Sequence, residues 1–212
     1  AEDSLASLFL KLTNTSLVYH QKFDSRLPNK KGLLEDYVFL VDAFIHAYQS
    51  TFNKEYLDKA IALNSTILEK FYKNKKWYLT QNKTYEVVFN DRYYTAAISR
   101  HLHNMLSLAN ITSNLANLEQ AKNYIKELQN RFLTFSDSNP EAIRALIRVQ
   151  KGDIILKSSK ENLLDNEKQI EQIIYPFLLQ SIQDTNLFLA CDEKSCFSYN
   201  KDLNIVIQAI DK

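Results

Sequence analysis

The sequence predicts a mainly α protein made of antiparallel helical hairpins. Only 2 Gly and 3 Pro occur among its 212 residues, which argues against a turn-rich β sandwich. In two stretches, 32–72 and 92–135, a helix that is apolar on nearly all sides is followed by a helix with a single apolar face. This alternation is typical of the inner and outer helices of an α/α toroid. Because so few helices cannot close a ring, we expect an incomplete toroid.

The elements of the first half follow from changes in hydrophobic period. Residues 4–20 are predicted to form an amphipathic helix, and residues 32–72 to form two helices joined by a turn near 51–53. After Lys76 the helical period is lost, and short β-rich runs surround a Gln-Asn-Lys turn. A small β-hairpin is therefore expected near 77–89.

The second half is predicted to continue with three helices and then to change character. The first two of these helices span 92–109 and 114–135, and the third begins at Asn139-Pro140 and ends at Gly152. The later segments are predicted as two strands, 153–159 and 185–191, and two helices, 160–174 and 202–211. We therefore divide the chain into a helical-hairpin domain, 1–151, and a small α/β appendage, 152–212.

Composition excludes several classes of partner. A net charge of +1 gives no electrostatic reason to expect nucleic acid, and no apolar run approaches the length of a membrane span. The first twelve residues lack the basic start of a signal peptide, and two cysteines are too few for a disulfide scaffold. We therefore expect a cytoplasmic protein without a nucleic-acid or membrane partner.

Three segments carry a resemblance to a known family. They are GLLEDYVFL at Gly32–Leu40, YQSTFNKEYL at Tyr48–Leu57 and FLACDEKSCFSY at 188–199, which contains Cys191 and Cys196. In these segments the chain resembles the C-terminal part of bacterial and animal proteins that join a thioredoxin-like domain to an α/α barrel. The spermatogenesis-associated thioredoxin-like protein is the animal member of that family. The Pro-Ser-Gly-Asn segment of the family is replaced here by the neighbourhood of Tyr94–Ile98.

The resemblance implies a function as well as a fold. The barrel of that family is similar to sugar epimerases and six-hairpin glycosidases, so the resemblance implies a carbohydrate ligand in the helical cavity. The alternatives are a carbohydrate-active enzyme of the epimerase or glycosidase type and a helical module that docks a thioredoxin-like domain. That domain is absent from these residues, so it is an expected partner within a longer parent chain.

The first helix after Gly32 offers two carboxylates for such a site. Glu35 and Asp42 are seven residues apart, which places them about 20° apart around a helix and roughly 10 Å apart along it. With His46 they are predicted to line a polar pocket, where paired carboxylates are suited to general acid–base work on a sugar. Alternatively, Glu35 only favours the helix N-terminus.

A second group follows the predicted hairpin. Asp91, Arg92, Tyr93 and Tyr94, together with Trp77, combine aromatic faces with charged groups, as a sugar-binding surface does. The alternative is aromatic packing over helix ends, with Asp91 as an N-cap.

Metal and nucleotide cofactors are not expected. His101 and His103 are two residues apart, hence about 200° apart on a helix, and cannot chelate one ion. With only 2 Gly, a phosphate-cradling loop is excluded. Cys191 and Cys196 are interpreted as structural thiols, with a disulfide, half a zinc site or a redox role as alternatives.

Overall fold

The fold is a mixture of helices and sheets. A computed structural model of the chain describes residues 2–14, 17–23, 26–91 and 93–211. Within these ranges 56% of the residues are helical and 17% lie in strands, which form three sheets. The predicted mainly α fold, an incomplete toroid of helical hairpins, is therefore wrong. The error arose because several strands are too short or too irregular to show a period-two pattern in the sequence.

The longer helices account for most of the helical content. Those of the first 151 residues are α1 Glu2–Leu12, α2 Leu34–Thr51, α3 Lys54–Phe71, α4 Ala97–Ile111, α5 Leu115–Thr134 and α6 Pro140–Lys151, with a 3₁₀ turn at Ser136–Ser138. The prediction of an alternation between buried and half-buried helices is confirmed for α2 to α5. Eight residues of α2 and thirteen of α4 are buried, against four each in α3 and α5.

The turn between α2 and α3 forms where it was predicted. Phe52 ends α2 in the left-handed conformation, with a φ of 51°. The side chain of Asn53 then accepts a hydrogen bond from the Glu55 amide at 3.0 Å and caps α3. The two helices pack through aromatic pairs, including Tyr37 and Phe71 at 5.3 Å.

The predicted helix over residues 4–20 is too long. Helix α1 stops at Leu12, and the chain continues as β1 Thr13–Asn14 and β2 Leu17–Gln21, which pairs with β3 Lys30–Lys31. The amide of Val18 donates to the Tyr37 hydroxyl at 3.0 Å, and its carbonyl accepts from the Gly32 amide at 2.8 Å. A Cβ on Gly32 would lie 2.8 Å from that carbonyl oxygen, so only glycine permits this approach. These tertiary contacts hold the segment extended.

The predicted hairpin near 77–89 forms as a short and irregular one. The Val87 amide donates to the Trp77 carbonyl at 3.1 Å, and the Leu79 amide donates to the Tyr85 carbonyl at 2.7 Å. An antiparallel bridge between Tyr78 and Glu86 lies between these two bonds. Before the hairpin, β4 Tyr72–Lys73 pairs with β5 Lys76–Trp77. The two predicted runs are therefore paired, although the second is too irregular to count as a strand.

The last third of the described chain is built around a four-stranded sheet. Its strands are β6 Ile154–Ser158, β7 Leu178–Ile182, β8 Phe188–Cys191 and β9 Cys196–Asn200, in the order β7-β6-β8-β9. Strands β6 and β7 are parallel, whereas β8 runs antiparallel to both β6 and β9. The predicted strands at 153–159 and 185–191 correspond to β6 and β8, while β7 and β9 were not predicted.

Three short helices accompany this sheet. They are α7 Lys160–Asp165 and α8 Glu167–Ile170, which lie in the crossover from β6 to β7, and α9 Leu203–Ile210 at the end. The helix predicted over 160–174 is thus split at Asn166. No helix in the described ranges is both long and apolar enough to cross a bilayer.

One continuous apolar core joins the helices to the sheet. It includes Tyr37 and Phe44 of α2, Ile67 of α3, Leu156 of β6 and Val206 of α9. A second cluster lies between α4, α5 and α6. The domain boundary predicted after residue 151 coincides with the end of α6. That residues 1–151 and 152–212 are separate domains stays a prediction.

Candidate functional site

A polar pocket opens between α2, α4, α6 and the segment that leads into β7. Its cavity is about 270 Å³ in volume. Its lining includes the side chains of Asp42, His46, Arg100, His103, Arg144 and Arg148. We call this cavity the Asp42 pocket. It brings together two of the predicted site residues, Asp42 and His46, one turn apart on α2.

The carboxylate of Asp42 is the central acceptor of this pocket. Its Oδ1 lies 3.8 Å from Nη1 of Arg100 and 3.8 Å from Nε2 of His46. Burial raises the pKa of Asp42 above its usual value, while Arg100 and His46 act in the opposite direction and Glu141 adds to the rise. The His46 side chain is 72% exposed and stands at the mouth. Asp42 is thus a partly desolvated carboxylate beside two side chains that can donate hydrogen bonds.

The partner of Asp42 is Glu141 rather than the predicted Glu35. Arg100 lies between them, with Nη2 at 3.7 Å from Oε2 of Glu141, and Nη1 of Arg144 lies 3.5 Å from the same oxygen. Two carboxylates from α2 and α6 therefore flank one guanidinium from α4. Asp42 and Glu141 are 99 positions apart in the sequence. In the sequence, Glu141 could be recognised only as an acidic residue in the first turn of a helix. Nothing in their spacing therefore predicted that the two carboxylates would be neighbours.

A buried ion pair forms the floor of the pocket. Arg148 donates from Nε and Nη2 to the two oxygens of Asp153, at 2.7 and 2.6 Å. It also donates to Ser107 Oγ at 2.9 Å and to the His103 carbonyl at 3.1 Å. The side-chain Nδ2 of Asn110 donates to Oδ2 of Asp153 at 2.7 Å. This set of charge-assisted bonds fixes α4 against α6 and holds the floor rigid.

His103 contributes to that floor as a neutral ring. Burial, and secondarily the charge of Arg148, lowers the pKa of His103 to about 3. Its Nδ1 lies 3.3 Å from Nη1 of Arg148, which can only donate, so Nδ1 must be the acceptor. The proton therefore sits on Nε2, which donates to the Glu141 carbonyl at 3.0 Å.

Glu35 lies in a different cleft, with two other predicted residues. A cavity of about 440 Å³ is lined by Glu35, Tyr93 and Tyr94, and a neighbouring apolar cavity of about 580 Å³ shares Glu35 and Tyr94. The Tyr94 hydroxyl donates to Glu35 Oε2 at 3.2 Å, and the negative charge of Glu35 raises the pKa of Tyr94. We call this surface the Glu35 cleft. Glu35 and Asp42, although on one helix, do not face a common pocket.

The remaining residues of the predicted sugar surface serve the fold. Trp77 is only 3% exposed and packs on His101, with ring centroids 4.9 Å apart, so it is not available to stack on a ligand. Asp91 accepts from the Ala96 amide at 2.6 Å and from the Glu141 amide at 3.0 Å. The N-cap residues of α4 and α6 are Ala96 and Asn139, so Asp91 is not itself the N-cap that the alternative interpretation proposed. It instead joins the starts of the two helices. Arg92 lies outside the described residues.

The two histidines of α4 point into different surroundings. His101 is fully buried against Trp77, and burial lowers its pKa to about 3. His103 faces α6, as described above. Among the residues that the structure describes, no group of three or more His, Cys, Asp or Glu side chains is placed to hold a metal ion.

The two cysteines form a disulfide at the tip of the β8–β9 hairpin. Cys191 ends β8, Cys196 begins β9, and they are opposite each other in the ladder. Of the alternatives that the sequence left open, the structure therefore contains the bonded pair rather than free thiols.

Comparison of the sequence with family models and with curated proteins yields no match. No protein-family model matches the sequence, and no curated protein is significantly similar to it. The geometry of the site therefore carries the functional argument.

Proposed function

We propose that this protein binds a carbohydrate of about monosaccharide size in the Asp42 pocket. The observation that carries this proposal is the partly desolvated carboxylate of Asp42 at 3.8 Å from both Arg100 and His46, inside a concave site of about 270 Å³. A perturbed titratable group in a cleft, with convergent polar neighbours, is the usual mark of a binding or active site.

The balance of charge favours a neutral, hydroxylated ligand over an anion. Arg100, Arg144 and Arg148 are each matched by a carboxylate, from Asp42, Glu141 or Asp153. The positive charge of each guanidinium is therefore offset by a carboxylate, and the lining offers both donors, from the arginines, and an acceptor, from Asp42. Vicinal hydroxyl groups need both, since each hydroxyl donates one hydrogen bond and accepts others.

A carbohydrate-active enzyme of the epimerase or glycosidase type is the second candidate. The observation in its favour is that burial raises the pKa of Asp42, which helps a carboxyl group to hold a proton for general acid catalysis. Glu141, on the other side of Arg100, would be the second carboxyl group that such chemistry requires. Release of a new reducing sugar, or exchange of a sugar C–H proton in deuterated water, would distinguish turnover from binding.

The experiment is a binding measurement on the whole chain against a panel of monosaccharides, by saturation-transfer NMR and calorimetry. Asp42→Asn is expected to weaken binding about 10- to 100-fold, because one charged acceptor is lost. Asp58→Asn removes an equivalent charge from the exposed face of α3 and is the matched control.

Glu35→Gln separates the two cavities. If the sugar lies in the Asp42 pocket, this change leaves the affinity as it is. If binding is lost in Glu35→Gln and retained in Asp42→Asn, the ligand binds in the Glu35 cleft and not in the Asp42 pocket. The absence of binding by every sugar in the panel would overturn the proposal.

Two broader predictions remain proposals. One is a relationship to the family that carries a thioredoxin-like domain, with such a domain as the partner. It rests on the resemblance at Gly32–Leu40, Tyr48–Leu57 and the Cys191–Cys196 segment. The other is a cytoplasmic location, where a disulfide is normally transient rather than structural. Fractionation of the native organism, with alkylation of free thiols before lysis, tests this location.

A further inference from the structure

The disulfide between Cys191 and Cys196 closes a very short loop. The two residues are five apart in sequence and are directly opposed in the antiparallel ladder of β8 and β9. Strand β8 is the inner strand of this pair, and β9 is an edge of the sheet. The covalent bond therefore links two residues that the ladder already holds together.

Other contacts hold the same hairpin tip. Oδ1 of Asp192 accepts from the amides of Lys194 and Ser195, both at 2.7 Å, and the Asp192 amide donates to the Ser195 carbonyl at 2.9 Å. Glu193 forms an ion pair with Lys122 of α5, which ties the loop to the helical part. With this turn and ladder in place, a tether is redundant, and a structural role explains the disulfide poorly.

The two halves of the disulfide differ in exposure. Cys191 is 3% exposed and belongs to the buried residues of the sheet, whereas Cys196 is exposed. The exposed residue of the pair is therefore Cys196, and we expect an incoming thiolate to approach this side of the disulfide. Once released, Cys191 is a buried thiol, and a free cysteine behaves in a core as a small apolar side chain. The reduced state is thus compatible with the folded protein.

The acidic residues at the tip do not repel an anionic attacker strongly. The Asp192 carboxylate is engaged by two backbone amides, and the Glu193 carboxylate is engaged by the Lys122 ammonium. A thiolate that approaches Cys196 therefore meets carboxylates whose charge is partly offset.

We propose that Cys191–Cys196 is a reversible thiol–disulfide exchange site that reacts through Cys196 while the protein remains folded. A thiolate of a low-molecular-weight thiol attacks Sγ of Cys196, forming a mixed disulfide there and releasing the thiolate of Cys191, which takes a proton from solvent. A second low-molecular-weight thiolate then attacks the sulfur that the first one contributed to the mixed disulfide. The two small thiols leave as their disulfide, and the released thiolate of Cys196 takes a proton from solvent. Two thiols are oxidised and one protein disulfide is reduced.

The first test uses the unmodified chain. It is treated with dithiothreitol with and without guanidinium chloride. Samples are quenched with excess iodoacetamide in guanidinium chloride, so that the buried Cys191 is also alkylated, and the intact mass is measured. We expect reduction in native buffer, detected as two added alkyl groups, at a rate within about tenfold of that in denaturant, since no opening of the fold is required. Reduction that proceeds only in guanidinium chloride would contradict the proposal.

The second test locates the attack. Reduced glutathione is used to trap the mixed disulfide on the wild-type protein, and peptide mapping is expected to place it on Cys196. A mixed disulfide found on Cys191 would overturn the assignment.

Two single variants provide a matched pair for this second test. After far-UV circular dichroism has confirmed that each is folded, oxidised glutathione is expected to modify Cys191→Ser at Cys196 and to leave Cys196→Ser unmodified. Equal modification of both variants would also count against the assignment. None of these readouts involves the Asp42 pocket, so their failure and a failure to bind sugar are separate results.

Discussion

The side chain of Gln49 on α2 forms two hydrogen bonds with the backbone of Gln180 on β7, as a neighbouring strand would. Its Nε2 donates to the Gln180 carbonyl at 2.6 Å, and its Oε1 accepts from the Gln180 amide at 2.7 Å. Strand β7 is an edge of the four-stranded sheet, so these backbone groups have no partner strand on that side. One side-chain amide thus satisfies both groups and joins the helical part to the sheet.

Replacing Gln49 should loosen this junction. We expect Gln49→Ala to lower the free energy of unfolding by about 1–3 kcal/mol, because two partly buried backbone groups lose their partners. Hydrogen exchange of the Gln180 amide should accelerate more than exchange elsewhere in the sheet. Gln120→Ala, on the exposed surface of α5, is the control and should change stability by less than about 0.5 kcal/mol.

The buried pair of Arg148 and Asp153 offers a sharper contrast. Arg148→Met should cost about 3–5 kcal/mol in urea unfolding, because it leaves the carboxylate of Asp153 buried without its ion-pair partner. Arg144→Met makes the same change one turn earlier on α6, at a side chain that is 47% exposed, and should cost about 0.5 kcal/mol or less. Equal losses in the two variants would show that the pair is not buried as described.

Two buried histidines should make stability fall in acid. The pKa values of His101 and His103 are both lowered to about 3, whereas an unfolded imidazole titrates near its ordinary value. The unfolded chain therefore binds more protons than the folded chain between about pH 6.5 and 3. Each ring should remove about 1.4 kcal/mol of stability for each pH unit of acidification in that window. Urea unfolding at several pH values measures this slope.

His101→Leu isolates one of the two contributions. Both ring nitrogens of His101 are buried without a hydrogen-bond partner in the described part of the chain, so an apolar side chain should be tolerated at pH 7. Below pH 6.5 the variant should lose stability with a slope lower than that of the wild type by about 1.4 kcal/mol per pH unit. An unchanged slope would mean that His101 is protonated in the folded protein.

Asp91 should stabilise two helices at once. Because its carboxylate accepts from the Ala96 amide at the start of α4 and from the Glu141 amide at the start of α6, Asp91→Ala is expected to cost about 2 kcal/mol, roughly one for each hydrogen bond. Asp91→Asn keeps one acceptor oxygen and should recover about half of the loss. Thermal unfolding followed by circular dichroism measures the stability of both variants. If only one of the two hydrogen bonds contributes, Asp91→Asn should be as stable as the wild type.

The sequence by itself determined the helices whose signals are local. The apolar period of α2, the turn at Phe52 and Asn53, and the Asn139-Pro140 start of α6 depend on residues within a few positions of one another. For the same reason, the sequence could suggest that Asp91 lies near the start of a helix, although not its hydrogen bond to Glu141 on α6.

The sequence also predicted β6 and β8, but only the tertiary structure decided β2, β7 and the candidate site. Strand β7 is an edge strand whose backbone groups are satisfied by Gln49, and β2 is held extended by Tyr37 and Gly32, so neither depends on its own period. Likewise, Asp42 meets Arg100 and Glu141 only because α2, α4 and α6 pack side by side. Contacts between residues far apart in the chain depend on packing, and hydrophobic periodicity carries no information about which polar side chains packing will bring together.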